Sequence, residues 1–150
     1  MIPKELSIQS INKVHRNLKN FINKTPLIQA THELNSYFDT NLFLKYEIFQ
    51  KCGSFKARGA INNILSIRKK NIKKGITAVS AGNHAIAASY VANLFNLKNK
   101  IFLYDSANKF RIDTCKKLNA NIIFTNPNKA FQDVNSAVNQ GYTFIHPFDG

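Results

Sequence analysis

Ile8, Ile11, Val14, Leu18 and Ile22 fall three and four residues apart, the period of an amphipathic helix over 7–22. Thr25-Pro26 bounds that helix, because the residue before a proline avoids the helical region. Leu27-Ile28 reads as a short strand, 33–38 as a short helix and 41–47 as a strand. From Ser54 the pattern turns regular. It predicts helix 54–70, strand 76–80 behind Gly75, helix 84–95 and strand 100–104. Ser106 is placed to cap a helix running to Leu118, and Asn119 can take the left-handed position after it. Strand 121–125, helix 128–140, Gly141 and strand 142–145 complete the series.

Strands alternating with helices across short loops specify an α/β fold: a three-layer parallel sheet with helices on both faces and right-handed crossovers. Ligands of such sheets sit beyond the carboxyl ends of the strands, where the loops before Lys56 and before His84 both lie. Helix 7–22 precedes the regular series and is expected in another layer, and nothing caps the final strand. The pattern therefore reads as part of a larger fold.

Composition narrows the class. Of 150 residues 44% are hydrophobic and 19% charged, too apolar for a disordered chain. No apolar run reaches the roughly 20 residues of a membrane span, and the first residues lack the basic-then-apolar shape of a secretion signal. A cytoplasmic protein with no membrane partner is expected. The net charge of +13 invites a nucleic-acid reading, yet Lys69-Lys70, Lys73-Lys74 and Lys116-Lys117 are scattered pairs near helix ends. No arginine stripe interleaves with aromatics, so no nucleic-acid partner is expected. Cys52 and Cys115 form no CxxC pair and have no histidine at ligand spacing. Neither a metal site nor a structural disulfide is expected from them.

The chemistry concentrates in the two loops. With Ser54 as N-cap, Lys56 sits near the second position of its helix, where the positive end of the macrodipole disfavours an ammonium ion. A lysine there is a candidate nucleophile for an aldehyde, forming a Schiff base, or else an ordinary lysine at a helix start. Phe55 beside it offers a ring face to a flat ligand or packs into the core. Ser80-Ala81-Gly82-Asn83-His84 presents successive backbone donors at a helix mouth, which suits a carboxylate or phosphate; the same residues also serve a plain turn and cap. His84 is a candidate general base or a histidine bonded to backbone.

Gly53-Ser54-Phe55-Lys56 with Arg58-Gly59-Ala60, the Ser80–His84 loop, Thr25-Pro26-Leu27 and His146-Pro147-Phe148-Asp149 together resemble one family. It is the fold-type II pyridoxal-phosphate enzymes, specifically the serine/threonine dehydratase (threonine ammonia-lyase) and serine racemase family. The resemblance implies a tryptophan-synthase-β-like fold. In it 51–150 is the small domain, 1–50 is a segment of the large domain, and the remainder of the large domain is absent. It implies that Lys56 holds pyridoxal 5'-phosphate as a Schiff base and then acts as acid–base group. Phe55 would pack on the ring and Asn83 would bond the ring hydroxyl oxygen. Ser80, Ala81, Gly82, Asn83 and His84 would hold the substrate carboxylate. The implied reaction removes the β-hydroxyl of serine or threonine and yields a 2-oxo acid and ammonia.

Details within the resemblance favour elimination. Cys52-Gly53 and Lys56-Ala57-Arg58 stand where the cysteine-synthase branch has Asn-Pro and Lys-Asp-Arg. Ala81 stands where racemases of the family place an acid–base serine, so serine racemisation is the alternative rather than the leading expectation. Ile86-Ala87, Tyr104-Asp105 and Asn119 depart from the usual Gln-Gly, Met-Pro and glycine. The glycine-rich loop that cradles the cofactor phosphate has no counterpart among the 6 glycines. The expectation is an incomplete dehydratase relying on a homo-oligomer or a complementing C-terminal chain. A non-catalytic remnant or split-enzyme subunit of the same fold is the competing reading.

Overall fold

The computed structural model describes residues 7–67, 72 and 74–147. Its first element, α1 (Ile8–Leu18), is capped by Ser7, whose Oγ accepts from the Ser10 amide at 3.2 Å. The helix ends four residues short of the expected 22 in a turn closed by the Phe21 amide on the Leu18 carbonyl. Leu18 is buried and Val14 packs beside it, while Ile8 and Ile11 remain 62% and 51% exposed. Only the second half of the apolar stripe therefore meets the core. β1 (Leu27–Gln29), α2 (His32–Tyr37) and β2 (Phe43–Lys45) follow, the two strands forming an antiparallel ribbon separate from the main sheet. Leu27, Ile28, Phe43 and Leu44 are all exposed on it.

Two 3-10 turns, Glu47–Phe49 and Lys51–Gly53, lead to α3 (Lys56–Ser66). That helix ends at Ser66, with Ile67 extended, rather than running on toward Lys70; residues 68–70 lie outside the described residues, as do Phe148 and Asp149 of the terminal motif. The regular series then appears as read: β3 (Ile76–Ser80), α4 (Asn83–Leu94), β4 (Asn99–Tyr104), α5 (Lys109–Lys117), β5 (Ile122–Thr125), α6 (Ala130–Asn139) and β6 (Thr143–Phe144). The strands form one parallel sheet in the order β5-β4-β3-β6.

Alternation along the strands makes the layers. Ala78, Ile101 and Leu103 point to one face, against Ala85, Ile86, Ala88 and Cys115 of α4 and α5. Val79 and Phe102 point to the other, against Ala130, Val134 and Ala137 of α6. α3 lies outside α4, and Ile61, Ile64 and Ala57 close a further cluster with Leu18, Val91 and Ile145. Gly75 lets the chain enter the middle of the sheet. Its φ is +138°, and a Cβ there would lie 2.1 Å from the Lys98 carbonyl oxygen.

Three helix starts lie about two residues downstream of expectation. Ser54 does not cap α3: it is extended, its side chain makes no cap bond, and the helix begins at Lys56 after Phe55. Asn108, not Ser106, caps α5 by accepting from the Arg111 amide at 3.0 Å, because a turn from the Ala107 amide to the Tyr104 carbonyl delays the helix. α6 starts at Ala130 rather than 128, since Asn126 Oδ1 takes the Asn128 and Lys129 amides, both at 3.1 Å, in a turn. Asn119 does adopt the left-handed conformation, φ 57°, and reverses the chain after α5.

Candidate functional site

Cys52 and Gly53 both have φ of 65°, a double left-handed step that swings the chain back toward the sheet before α3. The next residues, Ser54 and Phe55, deliver Lys56 as the first residue of the helix. Its Nζ donates to the Pro147 carbonyl at 2.7 Å and stands 5.3 Å from the centre of the Phe55 ring. Phe55 itself is 59% exposed, so it is a surface ring beside the amine rather than a core residue.

The second loop is folded by its own side chain. Ser80 Oγ accepts from the Gly82 amide at 2.9 Å, so that donor is used internally. Asn83 opens α4, and the Asn83 and His84 amides occupy the first turn, where a helix supplies no acceptors. Asn83 is exposed. His84 is buried, and its Nε2 lies 2.9 Å from the Ile145 carbonyl oxygen. Burial is the main cause that pushes its pKa down, with the nearby Lys56 and His146 charges adding to it. A buried ring tied to the Ile145 carbonyl matches the backbone-bonded alternative for His84.

Arg111 is a member of this region that the sequence did not single out. It donates from Nη1 to the Ala81 carbonyl at 3.2 Å, and its guanidinium carbon would lie 3.8 Å from a Cβ built at Gly82. The contact spans 30 residues, and only a basic residue in the first turn after β4 hints at it.

A cleft of about 510 Å³ joins the two loops. Gly53, Ser54, Phe55 and Asn83 form one wall and Phe43 to Ile48 the other. Phe55 and Asn83 thus meet in one cavity; Lys56 and His84 do not line it and bond instead to the carbonyls of Pro147 and Ile145. A larger hollow of about 700 Å³ beside α2 holds none of the expected residues.

The motif residues around the cleft form a fixed frame. Glu47 receives Arg58 through Nε at 2.8 Å and Nη2 at 2.7 Å, and the Thr25 hydroxyl at 2.6 Å. Lys45 Nζ donates to the Thr25 carbonyl at 2.7 Å. Hydrogen bonding from Arg58 outweighs burial and holds the Glu47 carboxyl well down, at about 2. Gln50 exchanges bonds with the Asn23 backbone at 2.8 and 2.9 Å, anchoring the opposite side. Cys52 packs between two core clusters, and burial pushes its thiol up to about 12, so it is no nucleophile for this cleft.

The family model described as pyridoxal-phosphate dependent enzyme matches residues 18–150. The chain belongs to that family. Phenylserine dehydratase of Ralstonia pickettii is 31% identical over 145 residues, 95% of this chain and 44% of that protein. The catabolic L-threonine dehydratase of Staphylococcus aureus is 34% identical over 149 residues, 96% of this chain and 42% of that protein. The structure of maize serine racemase superposes with a TM-score of 0.86 at 26% identity, covering 96% of this chain and 44% of that one. The chain therefore spans less than half the length of these pyridoxal-phosphate enzymes. Its α/β architecture is that of fold-type II. Among the described residues no group of His, Cys, Asp and Glu could hold a metal ion, and no helix is long and apolar enough to cross a membrane.

The residues fit such a cofactor at defined points. An amine stands at the head of one helix, an exposed ring stands beside it, and an amide side chain heads the adjacent helix. Ser54, one of the residues lining the cleft, has a buried Oγ with no hydrogen-bond partner among the described residues.

Proposed function

We infer that this chain provides the lysine-bearing part of a pyridoxal-phosphate-dependent dehydratase acting on a small hydroxy amino acid such as serine or threonine. The observation that carries the reading is the pairing of Lys56 and Asn83 at the heads of helices on neighbouring crossovers, with Phe55 and Asn83 facing one cleft. When bound, the cofactor supplies an electron sink for negative charge at the substrate α-carbon. Lys56 is the attachment point, and its Nζ is the group that moves the α-proton. Phe55 orients the ring, and Asn83 bonds its hydroxyl oxygen. The amides of Asn83 and His84, with Ser80, Ala81 and Gly82 shaping the loop, receive the substrate carboxylate at the positive end of α4. Arg111, held on the Ala81 carbonyl, adds a cation behind that loop.

Elimination is favoured over racemisation because Ala81 carries no hydroxyl to protonate the opposite face of the α-carbon. In this reading 1–50 belongs to a large domain and 51–150 to a small one. A second copy, or a polypeptide carrying the rest of the relatives' length, completes the site. Two free thiols suit a cytoplasmic setting.

Borohydride reduction in the presence of pyridoxal phosphate, followed by peptide mapping, tests the assignment. Label on the Lys56 peptide, lost in Lys56→Ala, is expected. Label on another lysine, unchanged in that variant, refutes it. Formation of 2-oxobutanoate from threonine by the purified chain alone would refute the need for a completing partner.

A further inference from the structure

Ser54 is 6% exposed, and its Oγ has no hydrogen-bond partner among the described residues. A hydroxyl removed from water without a replacement bond is destabilising, and such groups are rare enough to require a reason. Alanine would fill the same space without that penalty. Capping, the ordinary reason for a serine at this point, is not what it does here.

Ser54 lines the cleft together with Phe55 and Asn83, two residues before Lys56. Several polar groups nearby are already engaged. Ser80 Oγ holds the Gly82 amide, His84 Nε2 is on the Ile145 carbonyl, Glu47 is bound by Arg58 and Thr25, and Lys45 Nζ is on the Thr25 carbonyl. Among the described residues Ser54 is the buried side chain there that makes no bond, and a hydroxyl rotates to suit its acceptor. The first-turn amides of α3 and α4, helices of 11 and 12 residues, leave the same region electropositive.

We propose that Ser54 is a further ligand-binding residue of this site, its hydroxyl donating to an oxygen of the pyridoxal phosphate held at Lys56. This rests on the reading of Lys56 as the cofactor lysine. The acceptor is an anionic oxygen, on either the phosphate or the ring.

The test titrates the full chain and its Ser54→Ala variant with pyridoxal phosphate, pyridoxal and inorganic phosphate, and records thermal melts without ligand. Ser54→Ala is expected to melt about 2–4 °C higher when unliganded, and to bind pyridoxal phosphate roughly tenfold or more weakly. A merely structural serine does not give opposite signs for stability and affinity. Weakening confined to pyridoxal phosphate and inorganic phosphate assigns the contact to the phosphate; equal weakening for pyridoxal assigns it to the ring oxygen. Either supports the proposal. Unchanged affinity, or a lower melting temperature, overturns it and leaves the Lys56 assignment standing. Failure of the wild-type chain to bind pyridoxal phosphate overturns both.

Discussion

The Lys56 ammonium donates to the carbonyl oxygen of Pro147 at 2.7 Å, across 91 residues of chain. The bond ties the head of α3 to the segment that follows β6. Any aldehyde captured by that nitrogen must compete with this acceptor. Removing it through Lys56→Met is expected to cost about 1.5 kcal/mol, the lower end for a charged hydrogen bond, and to lower the melting temperature by about 3–6 °C. Urea titration of both proteins checks this. An unchanged midpoint would show that the contact contributes nothing to stability.

Glu47 gives a prediction at acid pH. Its carboxyl is held at about 2 by Arg58, below the ordinary 4.5, so protonation disfavours the folded state. The contribution is complete above about pH 4.5 and is lost as pH falls toward 2. After allowance for solvent screening it amounts to about 1 kcal/mol. Glu47→Gln should be less stable at pH 6 and lose less on acidification. Parallel pH profiles for the two proteins would remove the ion pair from the account.

His84 acts in a higher window. Its folded pKa lies below the ordinary 6.5, chiefly through burial, so the unfolded chain takes up the proton first. Stability from the neutral ring is complete above about pH 6.5 and falls as pH drops below it. Melting temperatures recorded from pH 7.5 to pH 5 should slope downward in the wild type and be flatter in His84→Gln. A slope identical in both would assign the effect to other groups.

Gly75→Ala should be severe. The position combines a φ of +138° with a carbonyl oxygen 2.1 Å from where the new methyl would sit. The expected loss is about 2–4 kcal/mol, on the order of 10 °C in melting temperature. Differential scanning calorimetry reads it directly, and a shift below about 2 °C would mean that the Lys98 backbone gives way easily.

The repeating part of the fold was legible because each strand from Ile76 onward sits in a short apolar run flanked by a helical period. The helix starts were less so. Ser54 and Ser106 have the chemistry of caps, but the left-handed pair at Cys52 and Gly53 and the turn at Ala107 move the actual starts downstream. A left-handed cysteine has no sequence signature. The positions of Lys56, Asn83 and Phe55 followed from loop spacing alone. Arg111 on the Ala81 carbonyl and Arg58 on Glu47 did not, because both contacts join separate elements across 30 and 11 residues. Ser54 reads as a helix cap through its hydroxyl, whereas that hydroxyl makes no cap bond and is buried without a partner among the described residues.

The sheet order also governs how the molecule is made. β6 is the last of the strands in sequence, yet it docks on β3, with the Ile145 amide bonded to the Thr77 carbonyl at 2.8 Å. During synthesis at about 5–20 residues per second, the 91 residues separating Lys56 from its acceptor correspond to a wait of roughly 5–20 s. Until then the central strand has one bare edge, and the lysine and the buried histidine have nowhere to go. A nascent chain interrupted before residue 143 therefore leaves that edge of β3 bare and lacks the acceptors that Lys56 and His84 use.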